Sequence, residues 1–172
     1  MPTTVVPACI SQRLARRLAL LVLDVDGVLT DGGLWFGPRG ETLKRFHVRD
    51  GHGIKLLRAT GIEVAVMSGR RSAAVTARCR ELGVKIVMQG VADKSQALDR
   101  LLRRLSLTDT QVACVGDDTP DVPLFVRVAL AVAVRDAHPL AARIADCRTT
   151  LPGGHGAVRE VCDWLLAARS HA

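Results

Sequence analysis

The residues with the clearest chemical potential are carboxylates. Asp24 and Asp26 stand two apart in Asp24-Val25-Asp26-Gly27, directly after an apolar run. A second acidic cluster, Gly116-Asp117-Asp118-Thr119-Pro120-Asp121, follows another such run. Residues two apart in an extended segment point the same way, so Asp24 and Asp26 can face one crevice. If Asp117 enters that crevice, three negative charges crowd together. A hard divalent cation relieves the repulsion, and Mg2+ held by carboxylate oxygens, waters and a phosphate is the usual arrangement. Such an ion also neutralises phosphoryl oxygens during transfer. Ser68 supplies a hydroxyl, Gly69 an unobstructed backbone N–H at an expected helix start, and Lys94 a point positive charge. Together they suit one phosphate dianion.

Each motif also has an ordinary structural reading. Asp-x-Asp-Gly and Gly116-Asp117-Asp118 read as turns, Ser68-Gly69 as a helix cap, and Lys94 as a solvated first-turn residue. The combination is more telling, because the four loops follow successive strands in the order acid pair, hydroxyl, lysine, acid cluster.

The elements that must position them follow from the hydrophobic pattern. Residues 19–25 form a continuous apolar run, as expected of a strand buried on both faces. Residues 34–36 and 42–48 flank Gly37-Pro38-Arg39-Gly40, which predicts a β-hairpin flap after the first strand. A short helix is expected over 53–59, with Ile54, Leu56 and Leu57 as its apolar face, then a strand over 62–67. Helices over 71–82, 94–105, 120–127, 139–145 and 157–168 alternate with strands over 84–88, 111–115 and 128–134. Pro120 and Pro139 mark helix starts, where a missing N–H costs nothing. This alternation predicts an α/β, doubly wound parallel sheet, in which ligands bind beyond the C-terminal ends of the strands. The expected organisation is an N-terminal extension over 1–18, loosely held, and a single domain over 19–172.

Composition limits the alternatives. The 172 residues are 48% hydrophobic and 24% charged, which suits a self-sufficient globular domain. The apolar run over 18–23, closed by Asp24, is far short of the roughly 20 residues that cross a bilayer. Neither a membrane helix nor an export signal is expected, so the chain reads as cytoplasmic. Lys plus Arg is 24 against 17 Asp plus Glu, a formal net charge of +7 that raises a nucleic-acid-binding module as an alternative. The basic residues come singly or in pairs, however, and two Trp, three Phe and no Tyr make a poor base-stacking platform. Five cysteines without a C-x-x-C pair read as reduced thiols, and five histidines without metal-ligand spacing predict no zinc site.

Through Asp24-Val25-Asp26-Gly27, Ser68-Gly69-Arg70, Lys94 and the 116–121 cluster, the chain resembles the haloacid dehalogenase superfamily of phosphotransferases, which have a Rossmann-like fold. The resemblance implies that Asp24 is a nucleophile forming an aspartyl-phosphate and Asp26 a general acid and base. It also implies that Asp24, the Asp26 carbonyl and Asp117 bind Mg2+, with Asp121 orienting them. Asp24 to Gly32, Phe46-His47-Val48-Arg49-Asp50-Gly51, and Gly153-Gly154-His155-Gly156 are similar to the 3-deoxy-D-manno-octulosonate 8-phosphate (KDO 8-phosphate) phosphatase family. That similarity implies a capless hydrolase of lipopolysaccharide precursor synthesis. It further implies a homotetramer in which hairpins form a central barrel and neighbouring subunits close each site. By position, Asp26, His47, Val48, Arg49, Asp50, Gly51, Lys55, Arg70 and Arg78 would contact the sugar-acid phosphate. Arg70 and Arg78, eight apart, are expected on similar sides of one helix. His47 and His52 stand where the family usually has Asn and Tyr. The 153–156 segment is either a mobile loop or a tail covering a neighbouring site. A phosphatase of a related nonulosonate 9-phosphate is the nearest enzymatic alternative, and Arg70 argues against it, since those enzymes tend to carry Glu there.

Overall fold

The computed structural model describes residues 5–170. Its centre is β1 (Leu20–Leu23), whose four residues are all buried. Alternate side chains serve opposite faces: Leu21 and Leu23 join one core, Leu20 and Val22 the other. This is why the run is continuously apolar rather than alternating. After β1 come an antiparallel hairpin, β2 (Trp35–Gly37) and β3 (Gly40–Leu43), then α2 (Val48–Ala59), β4 (Glu63–Ser68), α3 (Ala73–Leu82) and β5 (Ile86–Gln89). The chain then crosses the sheet with α4 (Lys94–Leu105), β6 (Val112–Gly116), α5 (Val122–Phe125), β7 (Leu130–Ala133), α6 (Pro139–Ile144), β8 (Cys147–Arg148) and α7 (Ala157–Ser170).

The six-stranded sheet runs β5-β4-β1-β6-β7-β8, with every pair parallel. β1 pairs on one side with β4 (Leu23 opposite Val66) and on the other with β6 (Leu23 opposite Val115). The direction of winding therefore reverses at β1, which opens a crevice beyond its C-terminal end. Asp24 is the next residue.

Two expected boundaries are corrected. Residues 44–48 are not strand, and α2 begins at Val48 rather than 53. Gly51 and Gly53 both sit inside the helix, where neighbours leave no room for a side chain. A Cβ on Gly53 would lie 2.8 Å from Arg159 Cδ, and one on Gly51 would lie 2.3 Å from Arg78 Nη2. The glycines let α2 press against α7 and α3, and that packing outweighs their poor helix propensity. Leu56 is partly exposed on this helix, so the inward face is carried by Ile54 and Leu57.

Residues 1–4 of the expected extension lie outside the described residues, and the segment over 9–18 is not loose. Ser11 caps α1 (Gln12–Arg17) by accepting from Leu14 N at 3.2 Å. Arg169 of α7 donates to the carbonyls of Ala15 and Leu18, at 2.9 and 3.2 Å, and Ala15 is fully buried. Cys9 is joined to Cys147 of β8 in a disulfide, which corrects the reading of all five cysteines as thiols; Cys79, Cys114 and Cys162 are free and buried. A separation of 138 residues leaves no local motif from which that pairing could be read. Among the described residues no helix is long and apolar enough to cross a membrane.

Candidate active site

The loop after β1 is built around Thr30, whose hydroxyl donates to Val25 O (3.3 Å) and accepts from Gly27 N (3.4 Å) and Gly32 N (3.2 Å). Gly27 has φ +93°, and a Cβ there would fall 2.1 Å from Asp117 Oδ2. Both conformation and space therefore demand glycine, and the two acidic loops meet at that point. From behind, Gly154 N donates to Val28 O at 2.9 Å and Gly153 N to Asp136 Oδ1 at 2.9 Å. Gly153 and Gly154 are buried against this chain's own 27–31 loop.

Lys94 opens α4, whose N-cap Asp93 accepts from Gln96 N at 2.9 Å. The Lys94 side chain is buried, and its Nζ bridges Asp24 Oδ1 (2.7 Å) and Asp121 Oδ1 (2.6 Å). Burial disfavours its charge, but the two carboxylates outweigh burial and raise its pKa. Asp121 has both oxygens engaged, since Oδ2 accepts from Asp117 N (3.0 Å) and Asp118 N (3.3 Å). It folds back over Gly116, where a Cβ would lie 2.5 Å from its carboxyl carbon. His138 N donates to Asp117 O at 2.7 Å, steadying the same loop.

Asp24, Asp117 and Asp121 each offer a carboxylate oxygen within 4.8 Å of the others, a hard-oxygen set that fits Mg2+. Without a cation they disfavour one another. Burial pushes Asp24 from an ordinary 3.8 up to about 6, with Lys94 opposing and Asp121 adding to it. Burial, then the charges of Asp24, Asp121 and Asp118, push Asp117 from 3.8 up to about 8. Both acids hold protons in the folded chain that they release on unfolding, so the metal-free protein loses stability as pH rises from about 4 to about 8. Excess Mg2+ should therefore raise the thermal midpoint more at pH 8 than at pH 6, by about 5–10 °C at roughly 100 times its Kd. Thermal melts across pH with and without Mg2+ measure this; a midpoint insensitive to Mg2+ at pH 8 contradicts it.

The crevice, about 700 Å³, gathers Asp24, Asp26, Ser68, Gly69, Arg70, Lys94, Asp117 and Asp121. Ser68 ends β4, and its Oγ accepts from Arg70 N at 3.1 Å. α3 starts at Ala73, so the Gly69 N–H lies in the preceding loop and not at a helix start, and Arg70 is not on the helix that carries Arg78. The two arginines do not share a face. Arg70 reaches Glu41 Oε2 (3.0 Å) and Asp26 Oδ2 (3.8 Å), whereas Arg78 pairs with Glu81 (2.8 Å) and packs over Gly51.

His47, Val48, Arg49, Asp50, Gly51, Lys55 and Arg78 do not line the crevice of this chain. Val48 is 75% exposed and Lys55 is exposed, whereas Asp50 and Gly51 are buried. Asp50 Oδ1 accepts from Arg159 N at 2.7 Å and caps α7 from α2. Burial raises its pKa, although the Arg159 N–H bond lowers it. Asp50→Ala should cost about 1–2 kcal/mol, read as a thermal midpoint several degrees lower; an unshifted midpoint would refute the capping role.

Two residues at the site were not foreseen. Lys44, buried just beyond β3, pairs with both Asp26 and Glu41 (3.2 Å to the latter). The only available signal was that Glu41 and Lys44, three apart, lie on a hairpin that directly follows the Asp26 loop.

The doubly wound sheet, the buried Asp24 at the winding reversal and the Lys94 bridge define a haloacid dehalogenase-like hydrolase, and a profile of that group matches residues 84–160. The chain is 49% identical over 155 residues to the KDO 8-phosphate phosphatase of Escherichia coli K12, covering 90% of this chain and 82% of that protein. The solved phosphatase of Moraxella catarrhalis, in complex with magnesium ion, phosphate ion and KDO, superposes with a TM-score of 0.89 at 37% identity, covering 92% and 91% of the two chains. A cobalt-bound phosphatase from Haemophilus influenzae gives 0.88 at 40% identity, covering 91% of each. This chain belongs to the KDO 8-phosphate phosphatase family.

Proposed function

We propose that the chain is a Mg2+-dependent phosphatase that hydrolyses KDO 8-phosphate to KDO and phosphate, a step toward lipopolysaccharide. The observation that carries this reading is the buried Asp24 held by Lys94 beside Asp26 and Asp117 in one crevice. Lys94 occupies one oxygen of Asp24 and so fixes the approach of the other, which attacks phosphorus as the ester P–O bond breaks. Asp26 gives a proton to the departing sugar oxygen, then takes one from the water that attacks the aspartyl-phosphate and frees Asp24. Asp24, the Asp26 carbonyl and Asp117 are the ligands for Mg2+, with Asp121 holding the Asp117 loop. When bound, the ion neutralises the phosphoryl oxygens. Ser68, the Gly69 N–H and Lys94 hold the phosphate, and Arg70 is the cation available to the sugar's carboxylate.

Among the described residues no cap covers the crevice, and we read residues 19–172 as one catalytic domain. Leu34, Trp35, Phe36 and Leu43 of the hairpin region are 46–64% exposed, an apolar face that supports assembly through the hairpins into a cytoplasmic homotetramer. In that assembly the exposed Val48, Arg49 and Lys55 would serve a neighbour's crevice, together with Arg78 and the His47 turn. Asp50 and Gly51, being buried, would act by shaping the turn. Phosphate release from a panel of sugar-acid phosphates with Mg2+ tests the assignment. KDO 8-phosphate should exceed generic esters and nine-carbon analogues; equal rates would remove the substrate assignment.

A further inference from the structure

The hairpin does more than expose apolar side chains. Its second strand carries Glu41, and Lys44 follows directly. The Lys44 side chain is 1% exposed and its ammonium contacts both Asp26 Oδ1 and Glu41 Oε2. Glu41 Oε2 in turn accepts from Arg70 Nη2 at 3.0 Å. The result is a continuous chain of alternating charge, Asp26–Lys44–Glu41–Arg70, running from the catalytic loop through the hairpin to the loop after β4. Partial burial pulls the Glu41 carboxyl up, but bonds from Ser72, Arg70 and Lys44 outweigh it and hold it at about 2, so Glu41 is an anion between its two cations.

We infer that Lys44 is a positioning residue for the reaction, fixing the Asp26 carboxyl where it meets the leaving oxygen, and that Glu41 braces both Lys44 and Arg70. A buried ammonium between two carboxylates is costly to place and is satisfied only in this geometry, so it holds the hairpin against the crevice as well as orienting Asp26. The inference rests on the phosphatase reading above.

The test uses the dependence on leaving group. An alkyl phosphate such as KDO 8-phosphate needs its departing oxygen protonated, whereas p-nitrophenolate leaves without help. kcat/KM, which covers steps up to P–O cleavage, should therefore reveal a displaced Asp26 only with the alkyl ester. In Lys44→Met the ratio of kcat/KM for KDO 8-phosphate over p-nitrophenyl phosphate should fall by roughly 30-fold or more, within the range general acid catalysis supplies. Because both substrates are measured on one preparation, partial unfolding cancels from the ratio. Glu41→Gln should raise KM for KDO 8-phosphate with a smaller change in kcat, as Arg70 loses its anchor. A Lys44→Met ratio equal to wild type overturns the role of Lys44, and an unchanged or lower KM in Glu41→Gln overturns that of Glu41. If wild type releases phosphate from neither ester, the phosphatase reading falls and the inference with it; if wild type is active, only the inference is at stake.

Discussion

Asp24→Asn should abolish phosphate release, lowering kcat by at least ~10³-fold, the scale on which removing a nucleophile acts, while leaving the protein folded. The contrast between activity and stability is the diagnostic part. Asp24 is buried beside Asp117 and Asp121, and its charge is one of those that push Asp117 up to about 8. Removing that charge relieves repulsion in the metal-free site. Lys94 keeps Asp121 as a partner at 2.6 Å, so no buried cation is stranded. The variant should melt no lower than wild type at pH 8 without Mg2+, and it should bind Mg2+ more weakly. Phosphate release, thermal melts and Mg2+ titration check the three parts, and retained activity would show that another group attacks phosphorus.

Lys94→Met should damage both fold and chemistry. The substitution keeps a long apolar stem but leaves Asp24 and Asp121 buried with no cation between them. Losing one partner of a buried ionic group costs about 3–5 kcal/mol, or a fall of roughly 10 °C in thermal midpoint for a domain of this size. The loss should shrink at low pH. Without Lys94 to oppose burial, Asp24 takes up a proton more readily in the folded chain, and a native state that holds an extra proton is relatively favoured as pH falls. Melting at pH 5 and pH 8 should therefore show the smaller deficit at pH 5. kcat should drop by at least ~10²-fold, since the electrostatic clamp on nucleophile and phosphate disappears. A uniform deficit across pH would argue that lost packing, not stranded charge, dominates.

Much of this architecture was legible because it is written in local pattern. A four-residue apolar stretch followed by Asp24 announces a doubly covered strand, and polar residues at or shortly after the ends of β4, β5 and β6 must likewise come to one end of a parallel sheet. The Asp24, Asp26, Ser68, Lys94 and Asp117 grouping follows from that rule alone. What escaped depends on contacts distant in sequence. α2 begins at Val48 rather than 53, and its Gly51 and Gly53 make room for the neighbouring helices, a need that only the folded chain shows. Cys9 and Cys147 pair across nearly the whole chain. β8, two residues long, carries no periodicity. Lys44 lies in a segment whose polarity looks like an ordinary hairpin edge, and only the folded chain shows its ammonium turned inward onto Asp26. The 153–156 loop looked loose because glycine is usually read as freedom, whereas here it permits contact with the backbone of residues 27–31.

The strand order has a consequence for synthesis. β1 lies between β4, made before the crossover, and β6, made after it. Asp24, Asp26 and Ser68 therefore emerge long before Lys94, Asp117 and Asp121, and neither group forms a site without the other. A nascent or truncated chain ending before residue 121 lacks part of the partner set that makes a buried Asp24 tolerable. A chain that hydrolyses a phosphate ester has therefore joined both halves of its sheet.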